Sequence, residues 1–171
     1  MKGTIILSHG LESGPQATKV SALARVADEL GWASIRPDYR DLDASRELEA
    51  ITARTARCIE AAPKEGRVIF AGSSMGAFIS GFASTQRECE ALFLMALPVG
   101  IEGYAFDYTA APVPTVLVHG WRDELCPVNA VIEFARERND TLHLVDDDHR
   151  LTAHVDFCAE AFRQLLLRLD A

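Results

Sequence analysis

The pentapeptide Gly72-Ser73-Ser74-Met75-Gly76 sets one serine, Ser74, two residues from a glycine on either side. This is the G-x-S-x-G spacing of a sharp strand-to-helix turn, which lifts a serine hydroxyl clear of its surroundings for nucleophilic attack. Ser73 lacks that spacing. A serine hydroxyl is weakly nucleophilic near neutral pH and needs a histidine base oriented by a carboxylate. Behind an elbow serine the chain order is acid, then histidine. The histidines after Ser74 are His119, His143, His149 and His154. His119 precedes the candidate acid at the end of an apolar strand, and His143 lies within the last strand, where packing or edge pairing suits it better. His149 follows that strand and is the expected base, with His154 as the fallback. Asp123, in His119-Gly120-Trp121-Arg122-Asp123-Glu124, is the expected acid, with Glu124 as its competitor. A developing oxyanion needs two preorganised N–H donors. Met75, directly after the serine, supplies one; the loop after the first strand supplies the other, at Leu11 or alternatively Glu12.

The elements that must hold these residues are legible as apolar runs. Strands are expected at Thr4 to Ser8, Ala33 to Arg36, Arg67 to Ala71, Ala91 to Ala96, Thr115 to His119 and Thr141 to Val145. Ile5-Ile6-Leu7, Val68-Ile69-Phe70, Leu92-Phe93-Leu94-Met95 and Val116-Leu117-Val118 are continuously apolar. Continuous apolarity means a strand covered on both faces, as in a parallel sheet between helical layers. Helical periodicity covers Gln16 to Leu30, Leu48 to Ala62, Met75 to Arg87, Val128 to Arg138 and Leu151 to Leu169. The alternation predicts a three-layer α/β/α sandwich in one domain, with a six-stranded, mainly parallel sheet. In such sheets ligands bind beyond the carboxyl ends of the strands. Every candidate residue falls at that rim.

The strand-His9-Gly10 opening, the Ser74 elbow, His119-Gly120-x-x-Asp123 followed by Pro127, and Asp148-His149 together resemble the signature sites of the α/β hydrolases, in that family's order and across nearly the whole chain. The resemblance implies a Ser74–His149–Asp123 triad and an acyl-enzyme mechanism, most simply that of a small, lidless esterase-like member. Relatives often begin with two further strands, absent from this sequence. A minimal sheet is therefore implied, in the order 4-3-5-6-7-8 by the family's numbering. Only a short loop, Pro98 to Pro114, stands where many relatives insert a cap, which argues against a lipase. A carboxylesterase is the first reading, a peptidase or acyl-thioesterase with the same triad the second, and a catalytically idle binding protein the alternative of another class.

Composition narrows the rest. The 171 residues are 49% hydrophobic and 25% charged, with a formal net charge of -8, the balance of an ordinary globular domain. An acidic chain without basic runs repels phosphate backbones and anionic headgroups, so neither nucleic acid nor a membrane is an expected partner. The expected partner is a small ester-like substrate, and the assembly a monomer or homodimer. Cys58, Cys89, Cys126 and Cys158 are scattered, the usage of buried free thiols, and with no long apolar leader at the N-terminus the cytoplasm is the expected location. No cofactor or metal is expected. The cluster Asp146-Asp147-Asp148-His149 with His154 lacks the histidine spacing of a zinc helix, and Gly10 and Gly14 do not form a dinucleotide-binding fingerprint. Tyr104, Phe106, Tyr108 and Trp121 lie in loops at or near the rim and are candidate pocket walls.

Overall fold

Apolar side chains that alternate between two faces of one sheet determine the architecture. In a computed structural model, which describes residues 1–44 and 48–171, six strands form a single sheet: β1 (Thr4–Ser8), β2 (Ala33–Ile35), β3 (Val68–Ser73), β4 (Ala91–Met95), β5 (Thr115–Gly120) and β6 (Thr141–Val145). Their spatial order is β2-β1-β3-β4-β5-β6, which is the expected order. All five pairings are parallel, so the sheet is more uniform than the expected mainly parallel one.

Ile5, Leu7, Ile69, Ala71, Phe93, Met95, Val116 and Val118 point to one face, where they meet Val20, Leu23 and Ala27 of α1 (Thr18–Glu29) and Phe162, Leu165 and Leu166 of α6 (Val155–Leu169). Ile6, Val68, Phe70, Leu92, Leu94 and Leu117 point to the other. There they meet Ile51 and Cys58 of α3 (Glu49–Ala61), Phe78 and Ile79 of α4 (Met75–Gln86), and Val131 and Ala135 of α5 (Val128–Arg138). Both faces are covered, hence the unbroken apolar runs. No helix of the described residues is long and apolar enough to cross a membrane. The four cysteines are free and buried.

Three details depart from the sequence-based expectation. A short helix, α2 (Arg40–Asp43), follows Pro37 without any apolar period to announce it. β3 continues through Gly72 and Ser73, so the strand runs directly into Ser74. The last helix does not start at Leu151: that residue is buried in a left-handed conformation (φ 53), a 3₁₀ turn spans Thr152–His154, and α6 begins at Val155. The carboxylate of Asp147 takes the N–H of Ala153 and the ring of His154, which holds this turn tighter than an α-helix.

Winding fixes where a site can form. From β1 the chain crosses to β2 on one side, then returns through α3 to β3 on the other. The strand order therefore reverses between β1 and β3. A crevice opens at the carboxyl ends of the two strands flanking such a switch point, and here these ends carry the His9-Gly10 loop and the Ser74 elbow.

Candidate active site

Ser74 joins β3 to α4 with no intervening loop, and its backbone occupies φ 55, ψ -119. A non-glycine residue held there costs about 1–3 kcal/mol and persists only where its surroundings over-determine it. Its N–H donates to the Met95 carbonyl (2.9 Å) and its carbonyl accepts from Phe78 N–H (3.0 Å). A Cβ on Gly72 would enter the backbone of Gly76, and one on Gly76 would enter the backbone of Ser8 and His9. These are the two glycines of the motif, required by close approach of backbone on both sides of the serine.

His149 comes from the loop between β6 and α6, and Asp123 from the loop after β5. The loops are tied together: Arg122 N–H donates to the Asp147 carbonyl (3.0 Å), and Gly120 lies so close to the Asp147–Asp148 backbone that a Cβ would clash with it. Ser74 Oγ is 2.9 Å from His149 Nε2, and His149 Nδ1 is 2.7 Å from Asp123 Oδ2. An ionised carboxylate only accepts, so Nδ1 carries the proton and Nε2 is left to accept from the serine hydroxyl. The Asp123 side chain is wholly buried while the His149 ring is 18% exposed.

Asp123 is fully partnered. Its Oδ1 accepts from Leu125 N–H (3.0 Å) and Cys126 N–H (2.7 Å), and Oδ2 lies 3.3 Å from Nε2 of buried His119. Burial pushes the carboxyl up, but the His149 ring N–H, the Cys126 amide and the two histidines together outweigh it and hold the group below the ordinary carboxylate range. His119 Nε2 sits 2.7 Å from the Cys126 carbonyl, so that nitrogen is the protonated one; burial lowers the pKa of the ring, and the ring stays neutral. Asp123, Cys126 and His149 also bring three ligand-type atoms within 4.8 Å of one another. They make a poor metal seat. Both carboxylate oxygens are engaged, and burial pushes the Cys126 thiol up to about 12, well away from the thiolate a metal requires.

On the opposite side of Ser74 stands the loop after β1. A Cβ on Gly10 would meet the Ser73 carbonyl at 3.3 Å and Ser74 Cβ at 3.4 Å, so this loop lies directly against the elbow. Glu12 within it, like Ser74, Ala96 and Leu151, has a positive φ, and all four cluster at the carboxyl rim of the sheet.

The alpha/beta hydrolase domain model matches residues 1–161. The chain belongs to the α/β hydrolase family. A protein of the alpha/beta hydrolase superfamily from Xanthomonas campestris pv. campestris is 47% identical, with a TM-score of 0.93 over 97% of this chain and 99% of that one. Two more distant structures share the fold: an alpha-beta serine hydrolase homologue from Coxiella burnetii (23% identity, TM-score 0.74, 97% and 86% covered), and a Xanthomonas campestris serine hydrolase without a lid (22%, 0.72, 97% and 81%). Among curated proteins, none matches the chain.

Within this α/β hydrolase, Ser74, His149 and Asp123 meet in one hydrogen-bonded chain, with Met75 next to the serine and Gly10 packed against it, while Leu11 follows Gly10 as an exposed residue of the same loop. His154 and His143 stand outside that chain. His154 pairs with Asp147, and His143 stacks edge-on against Phe157 (5.4 Å between ring centroids). The aromatic candidates divide. Tyr104 and Tyr108 fold in against Phe78 and Phe82 of α4, whereas Phe106 and Trp121 are exposed. A concavity of about 750 Å³ lies at the opposite, amino-terminal rim between β5, β6 and α6, away from Ser74. Two residues bearing on the site escaped sequence reasoning. Arg54, in the middle of a helix, carries no motif. Asp147 is one of three aspartates in a row, and nothing in the sequence distinguishes it from its neighbours.

Proposed function

We propose that this hydrolase is a carboxylesterase for small or medium acyl groups, one catalytic domain without a cap, with Ser74 as nucleophile, His149 as general base and Asp123 as the supporting acid. The observation that carries the reading is the unbroken relay from Ser74 Oγ through His149 (2.9 Å) to Asp123 (2.7 Å). Ser74 Oγ attacks the ester carbonyl carbon as its proton passes to His149 Nε2. The resulting oxyanion is held by the N–H of Met75, in the first helical turn where amides lack an intrahelical acceptor, and by that of Leu11. Collapse breaks the bond to the alcohol oxygen, which takes the proton from His149. Water, deprotonated by the same ring, then releases the acid and restores the serine. Asp123 holds the imidazole tautomer and stabilises the imidazolium.

The surroundings favour a modest, accessible substrate. Leu11, Trp121 and Leu125 are exposed and stand on the loops that carry Gly10 and Asp123. They offer apolar contact to a short acyl or alcohol group and no shelter to a long chain. Four buried free thiols suit a reducing compartment, which favours the cytoplasm. The test is labelling by a fluorophosphonate probe, followed by turnover of short and long p-nitrophenyl esters, thioesters and peptide amides. Labelling of the wild type, lost in Ser74→Ala and in His149→Ala, with short esters turned over fastest, is the expected result. A folded wild type that the probe leaves untouched would sink the reading in favour of a binding protein.

A further inference from the structure

Arg54 lies on α3 with 1% of its surface exposed, a costly place for a guanidinium. It is paired there with Asp43 through Nη1. A buried ion pair seldom stabilises a fold more than well-packed apolar side chains of the same volume, so packing alone does not account for it. The other Arg54 bond is more informative. Nη2 donates to the carbonyl of His9 at 2.8 Å, at the base of the loop that lies against Ser74. The guanidinium also rests over the ring of Tyr39, 4.6 Å from its centroid. Tyr39 in turn donates its backbone N–H to His9 Nε2 (3.0 Å). That bond assigns the His9 proton to Nδ1, which donates to the Gly10 carbonyl at 2.7 Å. Burial lowers the pKa of the His9 ring, which keeps it in this neutral, single-donor form.

Two successive carbonyls of the loop are thus held, one by Arg54 and one by a ring that rests on Tyr39 beneath Arg54. In a trans peptide, the carbonyl of one residue and the N–H of the next point in opposite directions within one plane. Holding the His9 carbonyl therefore aims the Gly10 N–H, and holding the Gly10 carbonyl aims the Leu11 N–H. We infer that Arg54 is a positioning residue for the oxyanion hole: by anchoring His9 and Tyr39 it turns the loop amides toward Ser74. The inference rests on the esterase reading, because it concerns the second oxyanion donor. Nothing in it requires Arg54 to touch the substrate.

The experiment uses Arg54→Met together with Asp43→Asn, so that no unpaired charge is left buried, and Arg54→Lys as a second variant. A lysine keeps the charge and nearly the volume, but its single ammonium cannot serve carboxylate and carbonyl in the fork geometry of a guanidinium. For each variant, kcat and KM on a short ester are measured with active sites titrated. So is inhibition by a trifluoromethyl ketone, whose serine adduct carries the oxyanion. The expected result is a fall in kcat of about 10- to 100-fold, up to the scale of a donor misplaced by about 1 Å and below the roughly 10²- to 10³-fold cost of losing one outright. KM should stay within about threefold, and ketone affinity should weaken in proportion to kcat/KM, with Arg54→Lys intermediate. Wild-type kcat per titrated site in a folded double variant overturns the inference, as does full activity in Arg54→Lys if the double variant fails to fold. A wild type without Ser74-dependent ester turnover removes the esterase reading and this inference with it, an outcome distinct from an active wild type whose Arg54 variants match it.

Discussion

Two Asp–His pairs meet between β6 and α6, where Asp147, His149 and His154 lie within eight residues and Asp123 reaches in from the loop after β5, and they are almost superimposable in chemistry. His149 Nδ1 is 2.7 Å from Asp123, and His154 Nδ1 is 2.9 Å from Asp147. Both carboxylates are nearly buried, both accept two backbone N–H groups, and burial, outweighed by histidine and amide donors, leaves both below the ordinary carboxylate range. They differ at the far side of the ring. His149 presents Nε2 to a strained serine; the ring of His154 stands perpendicular to that of Phe157. An oriented imidazole is therefore not in itself a catalyst. On the proposed reading the first pair has a nucleophile to activate. The second has a loop to hold, since Asp147 gathers the N–H groups of Asp148 and Ala153 with His154 into the turn that places His149.

The strongest way to break this comparison is to delete each histidine. His149→Ala should cost about four or more orders of magnitude in kcat/KM on a short ester, the scale for losing a triad base. His154→Ala should stay within about threefold of wild type. Ester turnover and fluorophosphonate labelling read both, and comparable losses in the two variants would return His154 to candidacy as the base.

The two aspartates should separate along a different axis. Asp123→Asn leaves the geometry nearly intact but forces the wrong imidazole tautomer, so kcat should fall about 10³- to 10⁴-fold in protein that is still folded. Asp147→Ala strands two backbone N–H groups and a ring. It should lower stability by about 1–3 kcal/mol in urea titrations, with activity reduced by no more than about tenfold. If Asp147→Ala abolished turnover at full stability, the division of labour between the pairs would be wrong.

This contrast also shows what a sequence can and cannot disclose. The sheet was legible because two-sided burial leaves continuous apolar runs such as Ile5-Ile6-Leu7, and α5 because its period is bounded by Pro127 and Asn139. Ser74 was legible because close backbone approach demands Gly72 and Gly76, which leaves a pattern. His149 and Asp123 were legible only by their place after particular strands. Asp147, by contrast, differs from Asp146 and Asp148 solely in which way the chain turns, in a segment where Leu151 enters the core with φ 53. Arg54 was illegible for a related reason: its partners His9, Tyr39 and Asp43 lie on other segments, and no local period predicts that a charged residue faces inward. The short helix α2 has no apolar stripe to reveal it.

A third histidine sharpens the comparison at the level of stability. Among the described residues, only the first pair has a neighbour of this kind: His119, with its ring 3.3 Å from Asp123 Oδ2 and wholly buried. Burial lowers its pKa in the folded protein, whereas in the unfolded chain it titrates near the ordinary value of about 6.5. Below about pH 6.5 the unfolded chain therefore binds a proton that the folded one refuses, and stability rises with pH wherever the unfolded state holds more protons. His119 thus subtracts stability progressively as pH falls through the window below about 6.5, and His9, lowered by the same cause, adds to the loss. Asp123 acts in a lower window: its folded pKa lies below its ordinary value, so its contribution is present above about pH 4 and lost below it. His119→Gln keeps an amide donor for the Cys126 carbonyl and Asp123 but cannot titrate. The urea midpoint of that variant should fall less steeply than that of the wild type between pH 7 and pH 5, the remaining slope belonging largely to His9, with ester turnover at pH 7 within about tenfold of wild type. An unchanged slope would mean that the folded protein binds the His119 proton as readily as the unfolded chain does, and a steeper one that His119 is held protonated, so that the first pair is flanked by a cation rather than by a neutral donor.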